Sequence, residues 1–458
     1  MSINFANKRF LILGAGVTGS AVAASLKKRG GLVTLADDNA KDCKKPEHVD
    51  LSDFDAVVIS PGWRQDHSLV EKVLASNLEI LNEVDLAWQI RSEIAPQQKW
   101  LALTGTNGKT TTVEMTAKIL QTAGLKAVAC GNVGDTVIAA VDREESYDYL
   151  VLELSSFQLH WAKHAQFVSA AILNIADDHL DWHGSFDSYA DAKFSILDRA
   201  DIAVLNADDE AVVLRANRNR GQKVFFSLDT PAPGEIGVVE ELLVDRAFVE
   251  NPQEAAMICE LKDITPTVPH NVSNALAAAA LALTVHVSHE NIQKALQEFK
   301  PGRHRIETVH ANDQISWVDD SKATNPHAAA ASLMSHLSVI WIAGGLAKGA
   351  DMNSLVIRCK ARLKAAILIG SDRHLIEEAL IAHAPDVPRI LIDAPAEYVR
   401  GGTGNELMQL VVAEAVKVAG AGDTVLLAPA CASMDQFISY ADRGDRFAAA
   451  VREVVAHD

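Results

Sequence analysis

The segment "LTGTNGKTTT", residues 103–112, concentrates the residue types that handle phosphate. Gly105 and Gly108 bracket Thr106 and Asn107, and Lys109, Thr110 and Thr111 follow at once. The apolar run before it reads as a strand and the residues after it as a helix. A strand-to-helix turn of this composition aims successive backbone amides at an anion, with a helix start behind them. Lys109 offsets the charge of a polyphosphate and the Thr110 hydroxyl binds magnesium, so the expected occupant is a nucleoside triphosphate. The loop departs from the general G-x-x-x-x-G-K-[ST] pattern, because Leu103 stands where the first glycine belongs.

Other candidates stand at the ends of strand-like runs. Glu153 closes "YLVLEL" and reads either as an acid of a magnesium shell or as a helix cap. His179, in "NIADDHLDWHG" among Asp177, Asp178 and Asp181, reads as a metal or substrate ligand, or as a surface or capping residue. Lys193, in "SYADAKFSIL", reads by itself as a solvated helix lysine. Further on, "DDSKATNPHA" (319–328), "GGLAKGAD" around Lys348 and "APACASMDQF" around Ser433 each follow an apolar run. Singly they are ordinary strand-to-helix loops. Three of them on one sheet edge, rich in ammonium and hydroxyl groups, suit a small molecule bearing carboxylates.

A second glycine turn opens the chain. In "RFLILGAGVTGSAV" (9–22), Gly14, Gly16 and Gly19 have G-x-G-x-x-G spacing, and Asp37-Asp38 ends the next apolar run. Alone, that pattern points to NAD or a flavin. A separate triphosphate loop in the same chain favours a second phosphorylated molecule there instead, and an NAD-dependent oxidoreductase leaves "GTNGKTT" unexplained.

These loops need parallel sheets to position them. "FLILGAG", "GLVTLADD", "DAVVISPG" and "LEILNEV" alternate with helical stretches up to Pro96, the βαβ signature. A second α/β unit runs from "WLALTG" through "IAVLNADDE", with "ELLVDRAFVENPQEAAMICEL" reading as a hairpin of a small antiparallel insert. After Pro301-Gly302, "SVIWIAGG", "AAILIGS", "RILIDA" and "DTVLLAPA" form a third. The expectation is an α/β protein of three domains. Residues 1–96 form a Rossmann-like domain, 97–300 a P-loop ATPase-like domain with a parallel sheet, and 301–458 a second Rossmann-like domain.

The chain has 458 residues, 48% hydrophobic and 22% charged, with a formal net charge of −18. That charge opposes binding to nucleic acid but not to a nucleotide. The five cysteines, at 43, 130, 259, 359 and 431, make no C-x-x-C pair, which fits a reducing cytoplasm and no disulfide or zinc framework. Lys8-Arg9 and the apolar stretch after them imitate a secretory signal, but three glycines at turn spacing interrupt it. "ALAAAALAL" is too short to span a bilayer, so no membrane insertion is expected.

Together these residues resemble the Mur ligase family, ATP-dependent amide-forming enzymes of peptidoglycan synthesis, over essentially the whole chain. G-T-N-G-K-T is similar to that family's version of the phosphate loop, and "ELSSFQL", "DSKATN" and "PACASMDQF" resemble the member that adds D-glutamate. The resemblance implies ATP and two magnesium ions as cofactors, UDP-N-acetylmuramoyl-L-alanine and D-glutamate as substrates, and a monomer in the cytoplasm. It implies that the loop from Gly105 to Thr111 binds ATP together with Asn274, Arg305 and Asp320. Thr110, Glu153, His179 and Lys193 would hold the metal ions. Lys193 matches a lysine that reacts with carbon dioxide to give a carbamate, which reverses its reading as a solvated residue. Val17, Thr18, Asp37, Asn132 and Ser155 would bind the UDP substrate, and Thr324, Lys348, Ser433 and Tyr440 the D-glutamate. Asn39, Leu346, Ala347 and Tyr440 depart from the family's common residues. Three reactants held by three domains imply that turnover requires closure.

Overall fold

The protein is described from a computed structural model covering residues 5–218, 221–251, 253–312, 314–393 and 404–455. It divides into two compact units that meet in sequence between Phe299 and Lys300.

The first unit holds two sheets. Strands β1 (Arg9–Leu13), β2 (Leu32–Ala36), β3 (Ala56–Ile59) and β4 (Glu79–Leu81) are all parallel, in the order β2-β1-β3-β4. The second sheet comprises β5 (Lys99–Thr104), β6 (Ala127–Gly131), β7 (Tyr149–Glu153), β8 (Phe167–Ile172), β9 (Ala200–Asn206) and β10 (Gln222–Phe226), followed by β11 (Glu235–Val239), β12 (Leu242–Asp245) and β13 (Ala256–Glu260). Its order is β13-β12-β11-β10-β9-β8-β5-β7-β6. β5 and β7 are buried along nearly their whole length, as strands covered on both faces must be, hence their unbroken apolar runs. The hairpin expected near residues 241–261 forms β12 and β13, and its antiparallel pairing extends this sheet at one edge.

"ALAAAALAL" lies in the helix Pro269–Leu283, whose residues from Asn274 onward are all buried. Alanines let this helix approach the core beside the helix Lys109–Thr122 without side chains holding them apart. Among the described residues, no helix is long and apolar enough to cross a membrane.

The two sheets of this unit are joined at the start of the helix Glu83–Ile94. Asn82 Nδ2 donates to the Trp161 carbonyl at 2.9 Å, and Glu83 Oε1 accepts from the Ile138 amide at 2.7 Å. The Asp85 carboxylate accepts the amides of Lys163, His164 and Ala165 at 2.7–2.9 Å. A carboxylate taking several backbone donors satisfies itself and fixes the segment it grips.

The second unit carries β14 (Glu307–Ala311), β15 (Ile315–Asp319), β16 (Val339–Gly344), β17 (Leu363–Ile369), β18 (Arg389–Leu391) and β19 (Asp423–Leu427), ordered β14-β15-β19-β16-β17-β18. Only β14 runs antiparallel to its neighbour. Alternate residues of β16 enter different cores, Trp341 and Ala343 on one face and Ile340 and Ile342 on the other. Helices cover both faces, as a parallel sheet requires.

Candidate active site

The phosphate-type loop is held by hydrogen bonds from its own fold. β5 ends at Thr104, and Gly108, with φ +80°, caps the helix Lys109–Thr122 without a side-chain hydrogen bond. That helix has no acid in its first turn, so its start presents amides and a partial positive charge to an anion. A Cβ on Gly108 would lie 2.3 Å from Asn274 Oδ1, so only glycine fits beneath that amide. The Thr112 hydroxyl lies 3.2 Å from the same oxygen.

Asn174 grips the loop from the end of β8. The Asn107 amide donates to Asn174 Oδ1 at 2.8 Å and Asn174 Nδ2 donates back to the Asn107 carbonyl at 3.1 Å. Thr106 Oγ1 accepts the Ala176 amide at 2.9 Å and hydrogen-bonds the Tyr189 hydroxyl at 2.9 Å.

Lys109 folds back over the loop, donating to the carbonyls of Gly105 at 2.9 Å and Thr106 at 2.8 Å. Lys193 arrives from the helix Phe186–Phe194 and also donates to the Gly105 carbonyl, at 2.8 Å, with Thr104 Oγ1 at 3.3 Å. It is 2% exposed, which overturns its reading from the residue pattern alone as a solvated lysine. The inner face of its helix is turned into the core, and nothing local signals that. Burial, then the neighbouring Lys109 ammonium, holds the Lys193 amine well below the usual lysine range. Tyr189, one helical turn earlier, places its ring centroid 4.8 Å from Lys193 Nζ.

Glu153 ends β7 at 2% exposure. Its Oε1 accepts from Asn132 Nδ2 at 2.9 Å, while its buried Oε2 has no hydrogen-bond partner among the described residues. Ser155 instead caps the next helix, Ser156–Trp161, through a reciprocal box with Gln158, so the helix-cap reading of Glu153 fails. An orphaned carboxylate oxygen in a water-poor site is a donor suited to a cation. His179 is 41% exposed; its Nε2 is 3.6 Å from Asp178 Oδ2 and its ring packs 4.7 Å from Phe157. Neighbouring His183, within hydrogen-bond reach of Ser156 Oγ at 2.9 Å, is pushed down to about 4 by burial and adjacent His160 and His179.

The opening glycine turn has the same design. Gly14 has φ +102°, and a Cβ on Gly19 would lie 1.9 Å from the Gly14 carbonyl oxygen, so helix and strand close to backbone contact. The helix Val17–Lys28 is likewise uncapped by any side chain and free of acid in its first turn. Val17 is 80% exposed and Thr18 half-buried. Asp37 Oδ2 accepts the Ala15 amide at 2.9 Å, and Oδ1 accepts those of Asn39 and Ala40 at 2.9 and 3.0 Å. These bonds, Ala15's first, hold its carboxyl below the usual range and make it the buttress of the turn.

Arg305, Asp320, Thr324, Lys348, Ser433 and Tyr440 belong to the second unit. Burial, with Asp319 beside it, pushes the Asp320 carboxyl up to about 7. Thr324, Lys348 and Ser433 sit in the loops leaving β15, β16 and β19, three neighbouring parallel strands. Lys348 is exposed at φ +52° and Ser433 is buried. Lys322 holds its ammonium 3.9 Å from the Tyr440 ring centroid.

This chain is 46% identical, over 97% of its length and 98% of theirs, to a protein of Thermobifida fusca (strain YX) named UDP-N-acetylmuramoylalanine--D-glutamate ligase. The chain belongs to the Mur ligase family. A similarly named protein of Streptomyces coelicolor is 44% identical, with both chains fully covered. The family model for the Mur ligase middle domain matches residues 103–282, and that for the Mur ligase glutamate ligase domain matches 304–431. The Mur ligase fold is shared with a pseudomurein peptide ligase type C from Methanothermus fervidus, at TM-score 0.62 and 20% identity over 98% of this chain and all of that one. It is shared also with UDP-N-acetylmuramate-alanine ligase from Thermotoga maritima, at TM-score 0.57, 17% identity and the same coverages. The middle-domain match spans the phosphate loop, Glu153, His179 and Lys193. Asn174 and Tyr189 lie within it too, and sequence reasoning passed over both. A strand-end asparagine and a tyrosine four residues before Lys193 were the available signals.

Proposed function

We propose that this chain is an ATP-dependent ligase that joins D-glutamate to UDP-N-acetylmuramoyl-L-alanine. Residues 97–300 hold ATP, 1–96 the UDP tail at the turn of Val17, Thr18 and Asp37, and 301–458 the incoming amino acid. The observation that carries this reading is the pair of lysines, Lys109 and Lys193, on one carbonyl beside an orphaned Glu153 oxygen.

Glu153, Thr110 and His179, with Lys193 once carbamylated, would hold magnesium, which when bound supplies positive charge to the phosphoryl group in flight. Lys193 is suited to the modification because burial favours its uncharged amine: the nitrogen lone pair adds to carbon dioxide and a nitrogen proton passes to solvent, giving a carbamate anion. Lys109 draws the γ-phosphate in while the substrate's alanyl carboxylate attacks it, giving an acyl phosphate and ADP. The D-glutamate amine then attacks the acyl carbon, and the tetrahedral intermediate expels phosphate as the amide forms. Asn132 and Ser155 orient the muramoyl-alanine end, and Asn274, Arg305 and Asp320 the nucleoside. Thr324, Lys348, Ser433 and Tyr440 orient D-glutamate. The reading places a monomeric enzyme in the cytoplasm, where these substrates are made.

Phosphate release from ATP is measured with UDP-N-acetylmuramoyl-L-alanine and a panel of D- and L-amino acids. D-glutamate should give turnover well above the blank; release no greater than the blank sinks the assignment.

A further inference from the structure

Arg443, in the helix Tyr440–Val454, is fully buried. Its Nε donates to Ser321 Oγ at 2.9 Å and its Nη2 to the Ser321 carbonyl at 2.9 Å. Nη1 and Nη2 both donate to the Cys431 carbonyl at 3.2 Å, and Nη1 reaches the Gly344 carbonyl at 3.5 Å. Ser321 lies in the loop after β15, Gly344 is the last residue of β16, and Cys431 lies in the loop after β19. Ser321 Oγ donates in turn to the Tyr440 carbonyl at 2.7 Å. The loops also touch directly: Leu346 and Ala432 exchange two backbone hydrogen bonds of 2.9 Å, and a Cβ on Gly345 would lie 2.1 Å from the Ala432 carbonyl oxygen.

A guanidinium is a rigid planar fork of five donors, and here its acceptors are carbonyls and one hydroxyl from two loops and the end of a strand between them. Two carboxylates act on it through space, and both have other donors. Asp319 takes His304 Nδ1 at 2.7 Å and the Ser321 amide at 2.9 Å, and Asp435 takes the Ser371 amide at 2.8 Å. These two carboxylates offset the guanidinium charge, so what Arg443 brings to the loops is the fixed geometry of its donors.

We propose that Arg443 is the positioning residue of the incoming-amino-acid site, setting the loops of Thr324, Lys348 and Ser433 against one another. This rests on the reading that those loops hold the amino acid.

The test measures kcat and separate KM values for D-glutamate, ATP and the UDP substrate in the full-length enzyme and in Arg443→Lys and Ser321→Ala. Arg443→Lys keeps the charge but loses the fork. It should raise the D-glutamate KM about tenfold or more while moving the UDP-substrate KM less than about twofold. Ser321→Ala, which leaves the arginine in place, should shift the same KM in the same direction by less. Should Arg443→Lys fail to fold, Ser321→Ala carries the test. D-glutamate and UDP-substrate KM values rising together, or neither moving, overturn the proposal. If the wild-type enzyme turns over only with another amino acid of the panel, the functional reading fails on that result. The same KM ratios, read with that amino acid, still decide the role of Arg443.

Discussion

Lys109 Nζ and Lys193 Nζ donate to one acceptor, the carbonyl oxygen of Gly105, at 2.9 and 2.8 Å. Burial, and after it repulsion from the Lys109 ammonium, favours the neutral amine of Lys193. The pair is therefore chemically asymmetric: Lys109 starts the helix behind the phosphate loop, and the buried Lys193 favours a nucleophilic amine.

Lys193→Ala removes that amine. Activity should fall by about a hundredfold or more, the scale of losing a metal-organising anion. Acetate or another short carboxylate, supplying the missing anion, should restore part of it. Phosphate release at increasing acetate checks both halves, and activity close to wild type without acetate excludes the carbamate.

Gly108→Ala forces a methyl against Asn274 and a left-handed φ on alanine. The conformation alone costs about 1–2 kcal/mol, and the melting temperature and ATP affinity should both fall. In an Asn274→Ala background the same change should cost less, because the atom it strikes is gone; a double-mutant cycle reads the difference.

Asn174→Ala cuts both bonds to Asn107 and leaves the loop amide without its acceptor. The ATP KM should rise about tenfold, in keeping with one or two lost hydrogen bonds at about 1 kcal/mol each. The UDP-substrate KM, set at the other glycine turn, should stay near its wild-type value. Equal shifts in the two constants would show general loosening instead.

Glu83 is wholly buried, and burial pushes its carboxyl up to about 7 from 4.5 even though the Ile138 and Val137 amides pull the other way. Between those two values the folded state holds a proton that the unfolded state has lost, so stability falls as pH rises through that window and levels off above it. Glu83→Gln keeps an acceptor for the Ile138 amide and removes the charge. The variant should melt higher than wild type at pH 8, by a margin on the order of 3 kcal/mol at most, and lose that advantage near pH 4. Thermal melts across pH 4–9, the span set by the linkage, decide it.

Much of the architecture is legible because parallel strands buried on both faces must be apolar throughout. The runs ending at Leu13, Thr104, Glu153 and Leu427 announce themselves, and so does the loop at Gly105–Thr111. Lys193 is different. Its burial comes from the packing of its helix against the helix Ser156–Trp161, with its amine reaching Thr104 and Gly105, a tertiary fact with no local mark, and only the family resemblance recovered it. Asp37 shows the converse. An acid at that strand end suggests a ribose ligand, yet its two oxygens are committed to three backbone amides, so the carboxylate shapes the turn. Arg443 reads as an ordinary basic residue on an amphipathic helix, because its acceptors lie at residues 321, 344 and 431.

The reciprocal Asn107–Asn174 bonds and the Thr106–Tyr189 contact brace the phosphate loop from within its own fold. Little backbone entropy is surrendered when the phosphates dock, so the calorimetric signature of that step should be dominated by charge-assisted hydrogen bonding and displaced water, with only a small heat-capacity change.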